Sequence, residues 1–91
     1  MDMKEKSKTD ARVEDSRERI HSLMLFNDDI HSFDYVIESL MNACRMDNIQ
    51  AEQCTYIAHY KGSCQVRRGS YYELKPMKDR LTDRELITSI E

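Results

Sequence analysis

The distribution of apolar side chains divides the chain into segments with two different periodicities. In the first segment, His21–Phe26, the apolar positions are continuous, because Leu23 and Leu25 point to one face of an extended strand while Met24 and Phe26 point to the other. A strand with two apolar faces is typical of the middle of a sheet that helices cover on at least one side. We therefore predict a central strand over residues 21–26.

A helical periodicity replaces the strand pattern after a short break. Apolar residues recur three and four positions apart over Phe33–Cys44, which is the spacing of one buried helical face. His31 or Ser32 stands near the start of this segment, and Asp34 in its first turn suits the helix dipole. The pattern predicts an amphipathic helix over residues 33–44.

A second helix is predicted between the break at residues 46–48 and Gly62. Asp47 or Asn48 can accept hydrogen bonds from the first free backbone N–H groups, and glycine is favoured at the left-handed position that ends a helix. One side of this segment carries small residues and predicts a buried stripe, which consists of Ala51, Cys54, Thr55 and Ala58, with Ile57 beside it.

The last third of the chain predicts a strand, a helix and a strand. Residues 63–67 alternate between apolar and polar, as in a strand with one face in water. Ser70 and Glu73 have the spacing of a capping box, so a third helix should begin there. Pro76 lies beyond the first turn, where its missing N–H is unfavourable, and a kink or a later helix start would resolve this. Leu86–Ile90 is predicted as the final strand.

The order β-α-α-β-α-β predicts an α+β fold, a single small domain in which a three-stranded antiparallel sheet packs against three helices. Residues 21–91 would form this core. Residues 1–20 carry six basic and six acidic side chains, with only Val13 and Ile20 as sizeable aliphatic residues. Such a segment cannot bury enough apolar surface to offset the entropy lost on ordering, so we predict a disordered or frayed charged arm.

The charge and hydropathy of the chain argue against two classes of partner. Its formal net charge is -3, so it lacks the basic surface that nucleic acid or an anionic membrane attracts. No apolar run approaches the ~20 residues that cross a bilayer, and the charged N-terminus lacks the apolar segment of a signal peptide. We therefore expect a cytoplasmic protein that binds neither nucleic acid nor membrane.

Three cysteines, Cys44, Cys54 and Cys64, recur ten residues apart, without the close pairs that are typical of a zinc site. In a reducing compartment we interpret them as small core residues. The sequence predicts no metal and no cofactor.

The most distinctive polar group follows the first strand. Asn27, Asp28 and Asp29 close that strand directly before the amphipathic helix, and His59 stands near the end of the second helix. Acceptor residues beside an apolar helical face suit a ligand that has a positive charge at one end and an apolar group next to it. Thr55 and His59 lie four residues apart and so share a helical face, as the residues of one groove would.

This combination resembles the ClpS family, the adaptors of the Clp protease. The resemblance covers roughly residues 21–66 and rests on matching positions in the first strand and both helices, namely Leu25-Phe26-Asn27-Asp28-Asp29, Val36, Ala51, Gln53, His59, Tyr60 and Gly62. Beyond residue 66 the order of strand, helix and strand also agrees, although the third helix and its following loop are shorter than in the commoner ClpS form.

ClpS proteins recognise N-degrons, which are exposed N-terminal Leu, Phe, Tyr or Trp residues, and hand the bearer to an AAA+ unfoldase of the ClpA or ClpC type. The resemblance therefore implies a non-enzymatic, monomeric adaptor that binds degron-bearing proteins and the N-terminal domain of the unfoldase, with the arm at residues 1–20 helping delivery. It also implies three sets of ligand contacts: Asn27, Asp28 and His59 around the α-ammonium; Asp29 and His31 at the rim, near the peptide backbone; and Leu25, Phe33, Val36, Thr55, Ala58 and Leu86 around the first side chain.

Four positions depart from the commoner ClpS pattern. His31 and Ser32 stand where a Thr-Pro pair often follows the Asn-Asp-Asp triplet, and Phe33 and Thr55 stand at gate positions that are often Met. Phe is bulkier and stiffer than Met, whereas Thr is shorter and carries a hydroxyl group. We therefore expect a first helix with a different cap and a pocket with a different outline.

Two other kinds of function fit parts of the pattern. His59 and Cys64 could form a base and a nucleophile, but Gly62 ends the helix between them and no third group orients them. Asp28, Asp29 and His59 could bind a divalent metal, although they lack a ligand spacing. A partner-binding module of helices and a sheet, without a pocket for an N-terminal residue, shares the predicted architecture, so the fold alone does not separate it from an adaptor.

Overall fold

The computed structural model describes residues 19–91, and within them the order β-α-α-β-α-β is confirmed. The elements are β1 (His21–Phe26), α1 (Phe33–Cys44), α2 (Asn48–Lys61), β2 (Ser63–Gly69), α3 (Tyr71–Asp83) and β3 (Thr88–Ile90). The arm predicted over residues 1–20 lies outside the described residues as far as residue 18. None of the three helices in the described range has the length and apolar character to cross a bilayer.

The sheet has the strand order β2-β1-β3, so the prediction of a central first strand is confirmed. Both pairings are antiparallel, and Leu25 lies opposite Cys64 on one side and Thr88 on the other. Leu23 and Leu25 are fully buried, whereas the alternate residues Met24 and Phe26 are partly exposed. The helices therefore cover the face that carries these two leucines.

The third strand is shorter than predicted. It begins at Thr88, so Leu86 and Ile87 precede it. The carbonyl of Ile87 still accepts a hydrogen bond from the backbone N–H of Phe26 at 2.9 Å, whereas the backbone N–H of Leu86 turns back to the end of α3. The apolar run extends further than the sheet because Leu86 fills the core below the helix end rather than a strand position.

The core combines buried apolar side chains from the sheet and from all three helices: Leu23, Leu25, Val36, Leu40, Ala43, Cys44, Ala51, Cys54, Ala58, Cys64, Val66, Leu74, Leu81 and Leu86. The interpretation of the three cysteines as core residues is confirmed. Burial raises the pKa of the Cys44 thiol to about 11 and raises the pKa of Cys54 as well. Protonated, buried thiols are poor nucleophiles and poor metal ligands.

Side-chain caps fix where the first two helices begin. Ser32, rather than His31, caps α1, and its hydroxyl accepts from the backbone N–H of Tyr35 at 3.1 Å. Asp47 caps α2 in a capping box, and Gly62 ends that helix with a φ of 98° in the left-handed region. The residue types at these positions therefore set the lengths of the two elements that flank the candidate site.

The capping box at the start of α3 is confirmed. The hydroxyl of Ser70 accepts from the backbone N–H of Glu73 at 3.1 Å, and the Glu73 carboxylate accepts from the backbone N–H of Ser70 at 2.9 Å. Pro76 lies inside the helix, so the alternative of a later start is wrong. A Cβ at Gly69 would collide with the Glu73 carboxylate, so glycine leaves room for the reciprocal bond.

Two arginines tie the end of α1 to the rest of the domain. Arg67 of β2 donates to the carbonyl of Cys44 at 2.5 Å, and Arg80 of α3 donates to the carbonyl of Ala43 from two nitrogens at 2.7 and 3.0 Å. These carbonyls belong to the last turn of the helix, where no intrahelical donor is available. The end of α1 is thereby anchored to both β2 and α3.

Candidate functional site

A small hollow lies at the end of β1, between the connection from β1 to α1 and the second half of α2. It is lined by Leu25, Phe26, Asn27, Asp28, His31, Phe33, Val36, Thr55, Ala58 and His59. Nine of the eleven residues that the sequence analysis assigned to a ligand site therefore surround one hollow. Three separate elements contribute them, so the fold brings together residues that lie up to 34 positions apart in the chain.

The inner wall of the hollow is apolar. Leu25, Val36 and Ala58 are buried core residues. The hydroxyl of Thr55 donates to the carbonyl of Ala51 at 2.8 Å, one helical turn earlier. Because the hydroxyl proton is used within the helix, the methyl group is the part of Thr55 that can contact an apolar ligand.

Asp28 is the best-held polar group of the site. Its Oδ1 accepts hydrogen bonds from the backbone N–H groups of Ile30 at 2.7 Å and His31 at 2.9 Å, and its Oδ2 lies 2.5 Å from Nδ1 of His31. Burial by itself would raise the pKa of Asp28. The hydrogen bonds from the His31 backbone, the His31 ring and the Ile30 backbone, together with the Coulomb attraction of His31, lower this pKa by more than burial raises it. The net result is a pKa below the ordinary value of 3.8, so the carboxylate is ionised at neutral pH.

His31 is fixed by a column of side chains that reaches α3. Its ring stacks on the ring of Tyr35 at a centroid distance of 4.7 Å and an interplanar angle of 13°. The Tyr35 hydroxyl donates to the carbonyl of Arg84 at 3.1 Å, and the Arg84 guanidinium lies 5.2 Å from the centre of the same ring. The sequence analysis placed His31 at the rim without identifying its bond to Asp28.

Asn27 leaves an acceptor open. Its side-chain amide nitrogen lies 3.5 Å from a carboxylate oxygen of Asp29, a weak contact that directs the amide group. Within residues 19–91 its side-chain carbonyl accepts no hydrogen bond. A ligand that donates at the mouth of the hollow can therefore use this oxygen.

Aromatic contacts form the α2 side of the mouth. The ring of Phe33 packs edge-to-face against His59 and against Tyr56, both at 5.0 Å between centroids, and His59 packs against Tyr60 at 4.8 Å. We call these four side chains the aromatic rim. Among the described residues, the ring nitrogens of the exposed His59 make no hydrogen bond.

The hollow is nearly closed. Its cavity volume is about 20 Å³, which is room for roughly one water molecule. A leucine or phenylalanine side chain is larger than this volume, so a side chain that lines the hollow has to move before either can enter. A changed outline was predicted at Phe33, but the small volume of the hollow was not.

Two predicted residues do not line the hollow. Asp29 is exposed on the connection next to it, and Leu86 is buried in the core. Conversely, Phe26 lines the hollow and was not assigned to it. Its place as the last residue of β1, next to Asn27, was the available signal.

The site offers an ionised carboxylate, an open amide carbonyl and an imidazole beside an apolar wall. In residues 19–91 no group of three or more His, Cys, Asp or Glu side chains is arranged to hold a metal ion. Cys64 is buried in β2 with its thiol toward its neighbour's carbonyl, so its surroundings do not favour a nucleophile. The arrangement can bind an organic cation that carries an apolar group.

Comparisons with known proteins agree on one family. The family model described as ATP-dependent Clp protease adaptor protein ClpS matches residues 16–86. A curated relative, ATP-dependent Clp protease adapter protein ClpS 1 of Rhodopseudomonas palustris, is 33% identical over 66 residues. That match covers 72% of this chain and 64% of the relative, a little less than two thirds of its length.

The fold is similar to that of a solved adaptor structure. The structure of Agrobacterium tumefaciens ClpS2 bound to L-phenylalaninamide superposes with a TM-score of 0.69 at 22% sequence identity. The match covers 81% of this chain and 96% of that chain. It confirms the three-helix, three-stranded α+β fold.

Proposed function

The chain belongs to the ClpS family, and from this premise we propose that it is an adaptor that binds proteins with an exposed N-terminal Leu, Phe, Tyr or Trp. It delivers them to a ClpA- or ClpC-type AAA+ unfoldase for degradation by the Clp protease. The observation that carries the proposal is the hollow itself, where an ionised Asp28 and the open carbonyl of Asn27 stand beside an apolar wall.

The polar half of the hollow suits a chain start. A free α-amino group has a pKa near ~8 and is largely cationic at pH 7, whereas an internal residue has an uncharged amide at that place. The Asp28 carboxylate, the Asn27 carbonyl and a neutral His59 ring supply acceptors for the three protons of an α-ammonium. The negative charge of Asp28 attracts an α-ammonium but gives no comparable attraction to the uncharged amide of an internal residue.

The apolar half suits the first side chain, but entry requires Phe33 to leave the aromatic rim. Each edge-to-face ring pair is worth about 0.5–1.5 kcal/mol, so parting Phe33 from Tyr56 and His59 costs about 1–3 kcal/mol. Burying a Leu or Phe side chain gains about 1.5–3 kcal/mol. These two terms nearly cancel, so affinity depends on charge-assisted hydrogen bonds to the α-ammonium, worth about 1.5–3 kcal/mol each. The site therefore selects an apolar residue only where it begins a chain.

The ligand named with the ClpS2 structure has the same two parts. L-Phenylalaninamide carries an α-amine next to an aromatic side chain, and the fold that holds it there is the fold found here. This supports an N-terminal residue as the ligand class for the present hollow.

Delivery is the second half of the proposal. A monomeric adaptor in the cytoplasm would dock on the N-terminal domain of the unfoldase, with residues 1–20 as the segment that the motor engages. A chain that lacks residues 1–20 should therefore bind peptide as well as the full chain, yet support less degradation of an N-degron substrate. Equal loss of both activities would contradict this division of labour.

Binding is tested with two peptides that differ only at the chain start. A fluorescent peptide beginning with Phe should bind the full chain, and its N-acetylated twin should not, because acetylation removes the charge and two of the three protons. Equal binding of both peptides, or of neither, would contradict the proposal. Binding of an unfoldase domain without any preference for a free amine would favour a partner-binding module.

A further inference from the structure

The carboxylate at the centre of the proposed amine site is already paired within the protein. Both oxygens of Asp28 accept hydrogen bonds, and its Oδ2 is directed at Nδ1 of His31. The Asp28 side chain is 9% exposed and that of His31 is 17% exposed, so water screens this pair only weakly. A ligand cation placed at Asp28 therefore meets His31 as part of the same unit.

His31 is the residue that acts most directly on Asp28. It contributes a backbone hydrogen bond, a side-chain hydrogen bond and a Coulomb attraction, whereas Ile30 contributes a backbone bond alone. The ring cannot turn away easily, because it stacks on Tyr35, whose hydroxyl is tied to α3. The His31 ring is thus held at a fixed place beside the carboxylate.

The other titratable or charged groups around His31 come from every neighbouring element. Asp28 shares its connection, Tyr35 of α1 lies under its ring, and His59 of α2 lines the opposite side of the hollow. Arg84, which caps the end of α3, lies beyond the Tyr35 ring, with its Nε donating to the hydroxyl of Ser39. Among these residue types, histidine is the one whose charge ordinarily changes in the physiological pH range.

We propose that His31 is a positioning residue of the amine site: its Nδ1–H holds the Asp28 carboxylate in place, and a second proton on its ring cancels the charge that the ligand needs. With a neutral ring, Asp28 keeps a net negative charge. With a cationic ring, the pair is neutral overall and a third charge, the α-ammonium, is attracted less. The site then releases its peptide as the pH falls. This inference rests on the proposed function of the same site.

The test distinguishes the effect of the His31–Asp28 hydrogen bond from the effect of protonating the His31 ring. His31→Asn keeps an N–H donor close to the position of Nδ1 but cannot take up a proton, whereas His31→Ala removes both. His21→Asn is the matched control, since it removes an imidazole at the far end of β1. Dissociation constants for the Phe-initiated peptide are measured at pH 7.5 and 5.5 with each full-length variant.

We expect the unsubstituted protein to lose about tenfold in affinity on acidification. His31→Ala should bind about tenfold more weakly at pH 7.5, since Asp28 loses its anchor. At pH 7.5, His31→Asn should bind within about threefold of the unsubstituted protein. Between pH 7.5 and 5.5, the logarithm of its dissociation constant should change by less than half as much as in the unsubstituted protein, and we assign the remaining change to His59. His21→Asn should behave as the unsubstituted protein at both pH values.

Three results would overturn the inference while leaving the proposed function intact: an unchanged acid loss in His31→Asn, unchanged binding of His31→Ala at pH 7.5, or no rescue by His31→Asn. Failure of the unsubstituted protein to prefer the free amine would overturn the proposed function, and the inference with it. A titration of the Asp28 carboxyl carbon by NMR needs no peptide and shows whether the pair itself exists. His31→Ala should raise the pKa of Asp28, and an unchanged pKa would overturn the pairing.

Discussion

The two sides of the hollow are built from different interactions. On the side of the β1–α1 connection, Asp28 and His31 are fixed by hydrogen bonds of 2.5 to 2.9 Å and by a stacked tyrosine. On the side of α2, the exposed His59 and its neighbours Tyr56 and Tyr60 touch one another and Phe33 only through ring contacts. One side is rigid and polar, and the other is adaptable and aromatic.

This difference assigns separate tasks to the two sides. In the proposed function, a preorganised carboxylate binds the α-ammonium without an ordering cost of its own at the moment of binding. A rim made of ring contacts can separate and re-form at a cost of about 1–3 kcal/mol, so it can admit first side chains of different size. Substitutions on the side of the β1–α1 connection should therefore change whether a peptide binds. Substitutions on the α2 side should change which peptides bind and how fast they associate.

The largest effect is expected at the rigid side. Asp28→Asn keeps a side-chain oxygen for the backbone N–H groups of Ile30 and His31 but removes the charge. Loss of a charge-assisted hydrogen bond of about 1.5–3 kcal/mol should weaken binding of a Phe-initiated peptide by about 10- to 100-fold. Fluorescence anisotropy measures this loss.

A matched control for this change is Asp79→Asn. It removes the same charge from the exposed face of α3, where Asp79 pairs with Lys75. Its affinity for the peptide should match that of the unsubstituted protein. Similar affinity of Asp28→Asn and Asp79→Asn would show that the carboxylate at position 28 does not meet the ligand.

An intermediate effect is expected at the aromatic rim. Tyr56 does not line the hollow, but its ring packs edge-to-face against Phe33, which does, and Phe33 has to move in the proposed function. Tyr56→Ala should remove one ring pair, worth about 0.5–1.5 kcal/mol, and so tighten peptide binding by about two- to tenfold, chiefly through faster association. Stopped-flow measurements report the rate.

Ile57→Ala serves as the control for the rim, because Ile57 is as exposed as Tyr56 on α2 and does not line the hollow. Its association rate should be that of the unsubstituted protein. Slower association in Tyr56→Ala would mean that Tyr56 helps to hold the ligand instead of holding the gate.

The smallest effect concerns stability in acid. Because the pKa of Asp28 is lower in the folded chain than its ordinary value of 3.8, ionised Asp28 stabilises the fold above that pH. This contribution is lost as the pH falls through the folded pKa. The difference in free energy of unfolding between the unsubstituted protein and Asp28→Asn should therefore narrow between pH 6 and 3 in urea titrations, and a constant difference would contradict it.

Most of the fold was predictable from the sequence because its signals are local. The continuous apolar run at residues 21–26, the capping box at Ser70 and the glycine at position 62 each specify an element or its end from neighbouring residues alone. The start of β3 was harder to predict, because Leu86 is an apolar core residue below the end of α3 and does not belong to the sheet.

The candidate site was predictable as a set of residues but not as a geometry. The spacing of Thr55 and His59 and the triplet after β1 located both sides of the hollow. The bond between His31 and Asp28 depends on how the connection folds back on itself, and the ring contact between Phe33 and Tyr56 depends on how two helices pack. Neither follows from a periodicity.

The central place of β1 has a mechanical consequence if the protein delivers substrates to an unfoldase, as proposed. A pull on the chain ahead of residue 19 acts first on β1, which is joined to a neighbour along each edge. Both ladders must yield together before the strand can be drawn out, and resistance of this kind is governed by the rate of unfolding. Under the proposed function, an unfoldase that pulls on the leading segment would therefore release it before the domain unfolds, and the adaptor would stay folded for another delivery.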